Sequence, residues 1–377
     1  MKNNKVVVTG IGVVTPLGFG RELNWKSVIE GKSAVKERPL ENMLSARVRN
    51  LDVPAETRLL SLAFLAAAEA LEDAGIDFHD FDTARFGCTV SSSKPNIVTG
   101  KNGALVLPEI GAQSVLPGQI ARVFKLRGPV RNIVAACATG ADSVIIGAEW
   151  IRRGLCDAVL CGAAEAPFND LYCAGFSRMG VLAKTAVKPF DRRREGFALG
   201  EGSGVLVLEN YDTAFLRGAK MYGTVESYAM ANDAWSPVSF EPQGRVIADA
   251  ITRSLGKTGI PGYVNAHGTA TRANDAVETA ALKRAFGAGA ASLSVSSTKA
   301  ATGHMLGASG AVELGFCLLA MRDNVLPPTL NLTDPDPCCD LDYIAGSARR
   351  KEIKSALSLS FGFGGHIAAV LLTECLT

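Results

Sequence analysis

Two stretches of the chain are predicted to form helices that are apolar on nearly every side, and they constrain the fold more than any other feature. Residues 139–153 and 305–323 are rich in glycine, alanine and aliphatic side chains. A helix without a polar face has to be buried on most sides. The small residues favour close packing of the two helices against each other, in an interior deeper than a three-layer sandwich provides.

Around these helices, short β-branched runs alternate with helical stretches in a pattern that the second half repeats. Strands are predicted over 6–10, 87–92, 131–136, 157–166 and 292–299, a further helix over 55–75, and glycine-turn hairpins over 200–210 and 358–374. The sequence therefore predicts an α/β protein of two duplicated halves, residues 1–215 and 216–377.

Composition excludes several functional classes. Of the 377 residues, 47% are hydrophobic and 20% charged, and the net charge of +2 gives no electrostatic case for a nucleic-acid partner. Nine cysteines without CxxC spacing predict reduced thiols in the cytoplasm, with neither disulfides nor a metal site. The N-terminus enters a strand too soon for a cleavable signal, and no apolar stretch has the roughly 18–20 residues that a membrane helix needs. We expect a soluble protein without membrane insertion.

Cys137 allows two interpretations. It lies between the apolar run 131–136 and the helix predicted from residue 139. A free cysteine is often a small hydrophobic residue of the core. At a helix start, however, the aligned N–H groups favour a thiolate, which is the nucleophilic form. Taken alone, the cysteine fits both interpretations.

The four histidines help to decide between them. His79 lies in a polar loop and is predicted to be an exposed bystander, and His366 follows the glycines of the last hairpin. His267 follows an apolar strand and His304 precedes the second apolar helix. Each of these is compatible with a purely structural role, but strand ends are where ligand sites concentrate in α/β proteins. A thiolate with nearby imidazoles suits acyl transfer.

Glycine-rich stretches do not indicate a bound nucleotide. In "GIGVVTPLG", Thr15 stands where a dinucleotide fingerprint has its third glycine, and "ALGEGSG" lacks the Lys-Ser/Thr ending of a phosphate loop. The final "GFGFGG" is compatible with a flexible hairpin or with backbone N–H groups brought close to a reacting carbonyl.

A set of motifs occurs in order along the whole chain: "AACATG", "KPFDRRREGFALGEGSGVLVLE", "VNAHGTATRANDAVE", "SSTKAATGHMLGASGAVE" and "SFGFGG". Together they resemble the β-ketoacyl-[acyl-carrier-protein] synthases of the thiolase superfamily, the elongating condensing enzymes of fatty-acid and polyketide synthesis. The resemblance implies a thiolase-like fold with two similar halves in five αβαβα layers, and a dimer.

The same resemblance implies roles for individual residues. Cys137 matches the acyl-accepting nucleophile, and His267 and His304 match the pair that supports malonyl decarboxylation and stabilises the enolate. Lys299 matches a nearby lysine and Glu313 its buried acidic partner, a pair for which a structural role is equally open.

Further positions complete the implied site. Phe363 matches a gating phenylalanine, and its N–H and that of Cys137 are expected to form the oxyanion hole. The matches imply that Thr269 and Thr271 bind the pantetheine arm, that Asp275 supports the site and that Arg178 meets the acidic carrier protein. No cofactor is expected beyond the phosphopantetheine that carries the substrates.

The implied reaction is a decarboxylative Claisen condensation of an acyl group on Cys137 with malonyl-carrier protein. A non-catalytic or partner-dependent subunit of a ketosynthase heterodimer is the alternative, so a homodimer and a heterodimer with a related subunit both remain open. A thiolase is disfavoured because the C-terminal glycine loop has no second cysteine.

The chain is shorter than the family between Lys32 and Ala55 and in 91–114, a region that shapes the acyl tunnel in the family.

Overall fold

The computed structural model describes residues 5–38, 43–78, 81–100 and 102–375, so the prediction for His79 lies outside the described residues. The strands are β1 (Val6–Thr15), β2 (Gly18–Phe19), β3 (Lys36–Arg38), β4 (Met43–Ala46), β5 (Phe86–Ser91), β6 (Val98–Thr99), β7 (Leu105–Val106), β8 (Ala158–Glu165), β9 (Leu199–Gly200), β10 (Gly202–Asn210), β11 (Gly223–Asn232), β12 (Tyr263–Asn265), β13 (Val295–Ser296), β14 (Val325–Leu326), β15 (Arg349–Arg350), β16 (Ser355–Gly362) and β17 (His366–Thr373).

The helices are α1 (Arg21–Ile29), α2 (Ala55–Asp73), α3 (Leu116–Val123), α4 (Thr139–Arg152), α5 (Asp170–Arg178), α6 (Tyr211–Leu216), α7 (Arg245–Leu255), α8 (Arg272–Phe286), α9 (Lys299–Thr302) and α10 (Ser309–Asp323). Short 3₁₀ turns at Ala136–Ala138 and Leu306–Ala308 precede α4 and α10. Within the described ranges, no helix combines the length and apolarity needed to cross a membrane.

A ten-stranded sheet runs through the molecule in the order β13–β12–β16–β17–β11–β1–β10–β8–β5, with β2 paired to β1. From the middle outward, both halves show two antiparallel pairings followed by a parallel one. The halves meet where Val7 and Val8 of β1 pair with Thr224 and Gly223 of β11. The duplicated architecture is therefore confirmed, whereas the division at residue 215, which falls within α6, stays a prediction.

Helices α4 and α10 form the central layer. Helix α4 contacts β5 and β8 of the first half and β17 of the second, and α10 contacts α4, β10 and β16. Helices α2 and α3 cover the outer face of the first half, and α7 covers that of the second, with α8 packed against α7 in the same apolar cluster. These contacts give the five αβαβα layers, and a large apolar cluster fills the centre between the two half-sheets.

Small residues let the two central helices approach closely, as the sequence predicts. A Cβ on Gly140 of α4 would lie 2.7 Å from the Gly307 carbonyl oxygen and 2.8 Å from the Ala311 nitrogen. Because both of these atoms belong to the backbone, they cannot rotate away. Gly140 therefore sets the distance between α4 and α10, and with it the distance between the two halves of the site described below.

We expect Gly140→Ala to lower the free energy of unfolding by about 1–3 kcal/mol, because the methyl group overpacks the helix contact. Gly118→Ala in α3 is the matched control, since a Cβ there meets no atom within 4 Å and alanine favours a helix by about 1 kcal/mol. Urea unfolding followed by circular dichroism measures both. Equal midpoints for the two variants would contradict this account of the interface.

The hairpin predicted over 200–210 is wrong. Residues Gly202–Asn210 form one strand, β10, which pairs with β1 on one side and with β8 on the other. A Cβ on Gly204 would lie 2.5 Å from the Val312 nitrogen, so this glycine allows α10 to approach the sheet and does not make a turn. The hairpin predicted over 358–374 is confirmed by the pairing of β16 with β17.

The strand predicted over 131–136 is also wrong. The parallel bridge to β5 is made by Val130, the residue before the segment, with Cys88, and Arg131 then donates its N–H to the Cys88 carbonyl. Farther along, Ile133 donates its N–H to the Ser91 hydroxyl instead. Ser92 in turn donates its N–H to the Asn132 side chain, so side chains replace the backbone partners that a strand ladder with β5 would need. The strand predicted over 292–299 is real but shorter, namely β13.

Candidate active site

One narrow cavity brings together residues from both halves of the chain. Its volume is about 100 Å³, and Cys137, His267, His304 and Phe363 all line it. Cys137 comes from the N-terminal half, whereas the other three come from the C-terminal half. Thr269 and Thr271 line the same cavity, together with apolar side chains such as Phe240 and Val277. The duplication therefore builds the site where the two halves meet.

Cys137 lies in a tight turn with a strained backbone. The preceding residue, Ala136, has a φ of +48°, a left-handed conformation that non-glycine residues rarely adopt. The Thr139 hydroxyl fixes the turn by accepting the Ala135 N–H (3.0 Å) and donating to the Ala136 carbonyl (2.8 Å). Gly362 of β16 lies against it, since a Cβ there would be 2.6 Å from the Ala135 oxygen. The turn presents the cysteine at a fixed position.

Burial changes the expected ionisation of Cys137. The residue is 8% exposed and packs among Met43, Phe197 and Leu306. Burial raises the pKa of its thiol to about 11, and nearby charges act in both directions without reversing the shift. The thiolate predicted from the helix start is therefore not the resting form. Cys137 is a thiol that has to give up its proton before it can act as a nucleophile.

His267 is held through its backbone. A buried carboxylate, Glu278 of α8, accepts the N–H groups of His267 (2.7 Å) and Gly268 (2.8 Å). Burial raises the pKa of Glu278 to about 7. Burial, then Lys299 and His304, lowers the pKa of His267 well below its usual range, so the ring is neutral near pH 7. Its Nδ1 has no hydrogen-bond partner among the described residues.

His304 has a partner for one ring nitrogen. Its Nδ1 lies 3.1 Å from the Ser309 hydroxyl, which also accepts the Met305 N–H (3.0 Å). Nδ1 is the one acceptor that the Ser309 hydroxyl contacts among the described residues, so we assign the hydroxyl hydrogen to it, which places the imidazole hydrogen on Nε2. Burial, followed by Lys299 and Lys94, lowers the pKa of His304 well below its usual range. The ring is therefore a neutral donor, T-shaped to His267 with 5.5 Å between centroids.

Lys299 and Glu313 form a buried ion pair. The lysine Nζ lies 2.5 Å from Glu313 Oε1, with both side chains almost fully buried. The pKa of Glu313 rises to about 6 because burial outweighs the lysine charge, and its Oε2 has no partner among the described residues. The Lys299 charge lowers the pKa of both histidines. Lys299 therefore helps to keep the imidazoles neutral, whatever structural role the pair also has.

Thr269 and Thr271 point their hydroxyls toward each other, with 3.0 Å between the two oxygens. The loop that carries them is fixed by Asp275, whose carboxylate accepts the N–H groups of Ala270 (3.1 Å) and Phe190 (2.7 Å). Asp275 is fully buried and does not line the cavity, and burial raises its pKa to about 6. It supports the loop and lies outside the reacting region.

Phe363 lies in the turn between β16 and β17, next to two glycines with positive φ. This turn is tied to a neighbouring loop, because Gly364 donates its N–H to the Pro237 carbonyl (2.8 Å) and Asp233 donates to the Gly365 carbonyl (2.9 Å). His366 begins β17 opposite Gly362 and Asn232, and it does not line the cavity. Arg178 is the last residue of α5, where it is exposed and does not line the cavity.

Sequence reasoning missed three side chains at this site: Glu278, Ser309 and Lys94. The first two hold the backbone of His267 and the ring of His304. The acidic Glu278 follows the histidine by eleven residues on a helix, a spacing compatible with an N-terminal turn contact. Ser309 follows His304 by five residues. Nothing local in the sequence indicates that Lys94 lies near Cys137.

Known proteins are similar to this chain over most of its length. Family models described as "Beta-ketoacyl synthase, N-terminal domain" and "Beta-ketoacyl synthase, C-terminal domain" match residues 53–214 and 222–333. A 3-oxoacyl-[acyl-carrier-protein] synthase 2 of Synechocystis sp. is 33% identical, over 97% of both chains. The tetracenomycin polyketide synthase ketoacyl synthase alpha subunit of Streptomyces glaucescens is 36% identical, over 98% of this chain and 97% of its own.

Solved structures are similar over the full chain. A type II polyketide synthase ketosynthase, described in complex with its acyl-carrier protein and bound to the hexaketide, superposes with a TM-score of 0.92 at 30% identity, covering 100% of both chains. A β-ketoacyl synthase from Burkholderia phymatum superposes with a TM-score of 0.90 at 28% identity, again over 100% of both chains.

A five-layered thiolase-like fold with a buried cysteine and two histidines on one cavity defines a class of proteins, the condensing enzymes. Within that class, the chain belongs to the β-ketoacyl synthase family. It is an acyltransferase that carries out condensation in fatty-acid or polyketide biosynthesis.

Proposed function

We propose that Cys137 carries the growing acyl chain as a thioester and that His267 and His304 serve its decarboxylative condensation with a malonyl unit. The observation that carries this proposal is the single cavity that holds all three side chains and both threonine hydroxyls. The cavity is narrow and mostly apolar, which suits a pantetheine arm and excludes bulk water from the reacting atoms.

Acylation begins with removal of the thiol proton. A neutral imidazole in the cavity is the available base, since burial keeps both histidines unprotonated near pH 7. Sγ of Cys137 attacks the carbonyl carbon of the acyl thioester, and the N–H groups of Cys137 and Phe363 receive the developing oxyanion. The pantetheine sulfur then leaves and takes up the proton. His267 suits the proton transfer, because its Nδ1 is not engaged by another residue among those described.

Condensation follows when malonyl-carrier protein enters. The bond between the malonyl α-carbon and its carboxylate breaks, and CO₂ leaves with the electron pair retained in an enolate. The Nε2–H of His304 donates to the enolate oxygen, as its assigned tautomer allows. The enolate carbon attacks the acyl carbonyl, a carbon–carbon bond forms, and the Cys137 sulfur leaves. The product is a 3-oxoacyl thioester on the carrier.

The proposal includes a carrier protein that brings the substrates to the cavity. Thr269 and Thr271 are the proposed hydrogen-bonding groups for its pantetheine arm. Arg178 offers an exposed positive charge for an acidic carrier surface. A dimer, homomeric or with a related subunit, is also proposed. It is supported by the open sheet edge beside β5, where Val134 is 50% exposed. The proposal uses no bound cofactor and keeps the predicted cytoplasmic location.

Intact-mass spectrometry of the chain purified alone tests this function. Offered a ladder of acyl-carrier proteins, the protein is expected to gain the mass of one acyl group, and the length that loads fastest reports its preference. Cys338→Ala is the matched control because Cys338 is exposed, so its loss should leave the added mass unchanged. If the chain alone stays unmodified but gains an acyl group only with a related subunit, the partner-dependent alternative replaces the proposal.

A further inference from the structure

An ion pair outside the implied site lies close to Cys137. Lys94 Nζ is 3.3 Å from Glu165 Oε2 and 2.6 Å from the Ser93 hydroxyl. The other oxygen of Glu165 accepts the Ser93 N–H (2.8 Å), so both ends of the carboxylate are engaged. Glu165 is 1% exposed and Lys94 19% exposed. The lysine also lies over the Tyr172 ring, 5.9 Å from its centroid.

The pair is located at the junction of the two central helices. A Cβ on Gly307 would be 2.5 Å from Glu165 Oε1, 2.9 Å from Ser93 Cβ and 3.1 Å from Thr139 Cβ. Thr139 is two residues after Cys137 and begins α4, and Gly307 is three residues after His304 in the turn before α10. Helix N-termini favour nearby negative charge, which accounts for a buried Glu165 here. Lys94 is therefore held beside the turns that carry both the thiol and an imidazole.

The charged groups around Cys137 divide into two pairs. Lys94 and Glu165 form the first, and the buried Lys299 and Glu313 form the second. Of these four, Lys94 has the largest effect on the thiol and lowers its pKa, against the larger effect of burial. The histidines that share the cavity add no charge when neutral. The Lys94 charge also lowers the pKa of His304, so it favours the neutral form of that ring together with an ionised sulfur.

We propose that the Lys94 ammonium, which is held by Glu165 and Ser93, stabilises negative charge on Cys137 Sγ when the thiol loses its proton. Lys94 is then a positioning residue that acts through Cys137, and this role rests on the proposed function. The same charge stabilises the sulfur again when the condensed product leaves. A solvated surface ion pair would contribute little here, but this carboxylate is buried and the ammonium four-fifths buried.

The test is the pH dependence of alkylation of Cys137 by iodoacetamide, followed on the Cys137 peptide by mass spectrometry. In this reaction Sγ loses its proton to solvent, attacks the methylene carbon and releases iodide. Lys94→Met is expected to raise the pH midpoint by about 0.5–1 unit, which slows alkylation below the midpoint about 3- to 10-fold. Lys94→Arg keeps the charge and should show the same pH profile of alkylation as the wild type.

Two further variants separate charge from structure. Lys94→Gln keeps a polar hydrogen-bond donor at this position but lacks the charge, so it should shift the midpoint as Lys94→Met does, even if the methionine variant folds poorly. Lys26→Met removes the same charge from an exposed helix position and should leave the profile unchanged. An unchanged midpoint in folded Lys94→Gln would overturn the proposal. Because alkylation needs no acyl substrate, failure of acyl loading in the wild type would count against the proposed function separately.

Discussion

Cys137→Ala is expected to reduce formation of 3-oxoacyl product to background, a loss of at least about 10³-fold, and to abolish the acyl mass increment. The variant lacks the only sulfur that lines the cavity within the described residues, and no neighbouring hydroxyl there has the reactivity of a thiolate. The fold should persist, because removal of one sulfur from a buried position leaves only a small cavity. Product measured by chromatography and mass measured on the intact protein check both losses.

Cys173→Ala is the matched control for that variant. Cys173 packs at the edge of the apolar cluster that contains Cys137, yet it does not line the cavity. Its loss should leave acyl loading and condensation close to wild type. Wild-type product formation by Cys137→Ala would instead show that the sulfur is a core residue, the interpretation that the local sequence left open.

The residues of the site could be predicted because the motifs that contain them resemble one family, whereas local patterns alone left the roles of Cys137 and the histidines open. A lone cysteine before an apolar helix, and histidines after strands, are visible in the sequence. What holds these residues is not visible. Glu278 fixes His267 and Ser309 fixes His304 through contacts that depend on the exact turn of the backbone. The approach of Lys94 and Glu165, 71 residues apart, depends on parallel pairing of β5 with β8.

The two wrong strand and hairpin predictions also arise because contacts with other segments of the chain are not visible in the local sequence. The glycines in 200–210 are typical of a turn, but Gly204 is required because α10 approaches the sheet there. That requirement comes from a helix more than 100 residues away in the chain. The run 131–136 has the composition of a strand and lies beside β5, yet the side chains of Ser91 and Asn132 accept the backbone N–H groups of Ile133 and Ser92 in place of a ladder. Composition indicates a strand but does not show which groups accept its backbone hydrogen bonds.

The ionisation of Cys137 shows how packing changes an electrostatic prediction. The helix start favours a thiolate, and this local effect is readable from the sequence. Burial among Met43, Phe197 and Leu306, which come from distant segments, acts in the opposite direction and raises the pKa to about 11. Under the proposed function the thiol needs a base and a stabilising charge, and the neutral imidazoles and Lys94 are the groups that we propose for these roles.

His304→Ala is expected to separate the two half-reactions. Condensation should fall by about 10²–10⁴-fold, because the enolate loses a neutral donor held in place by Ser309. Acylation of Cys137 should stay within about threefold of wild type, since its oxyanion is assigned to backbone N–H groups and its proton transfer to His267. Single-turnover intact-mass measurements report acylation, and 3-oxoacyl product from the pre-acylated protein reports condensation.

Ser309→Ala provides a graded comparison for this variant. It keeps the imidazole but removes the hydroxyl that orients it, so condensation should fall by about 10-fold or less while acylation is unchanged. Loss of acylation together with condensation in a folded His304→Ala protein would mean that His304 also serves as the base for the thiol. In that case the unengaged Nδ1 of His267 would need another explanation, because the division of roles rests on the different hydrogen bonding of the two rings.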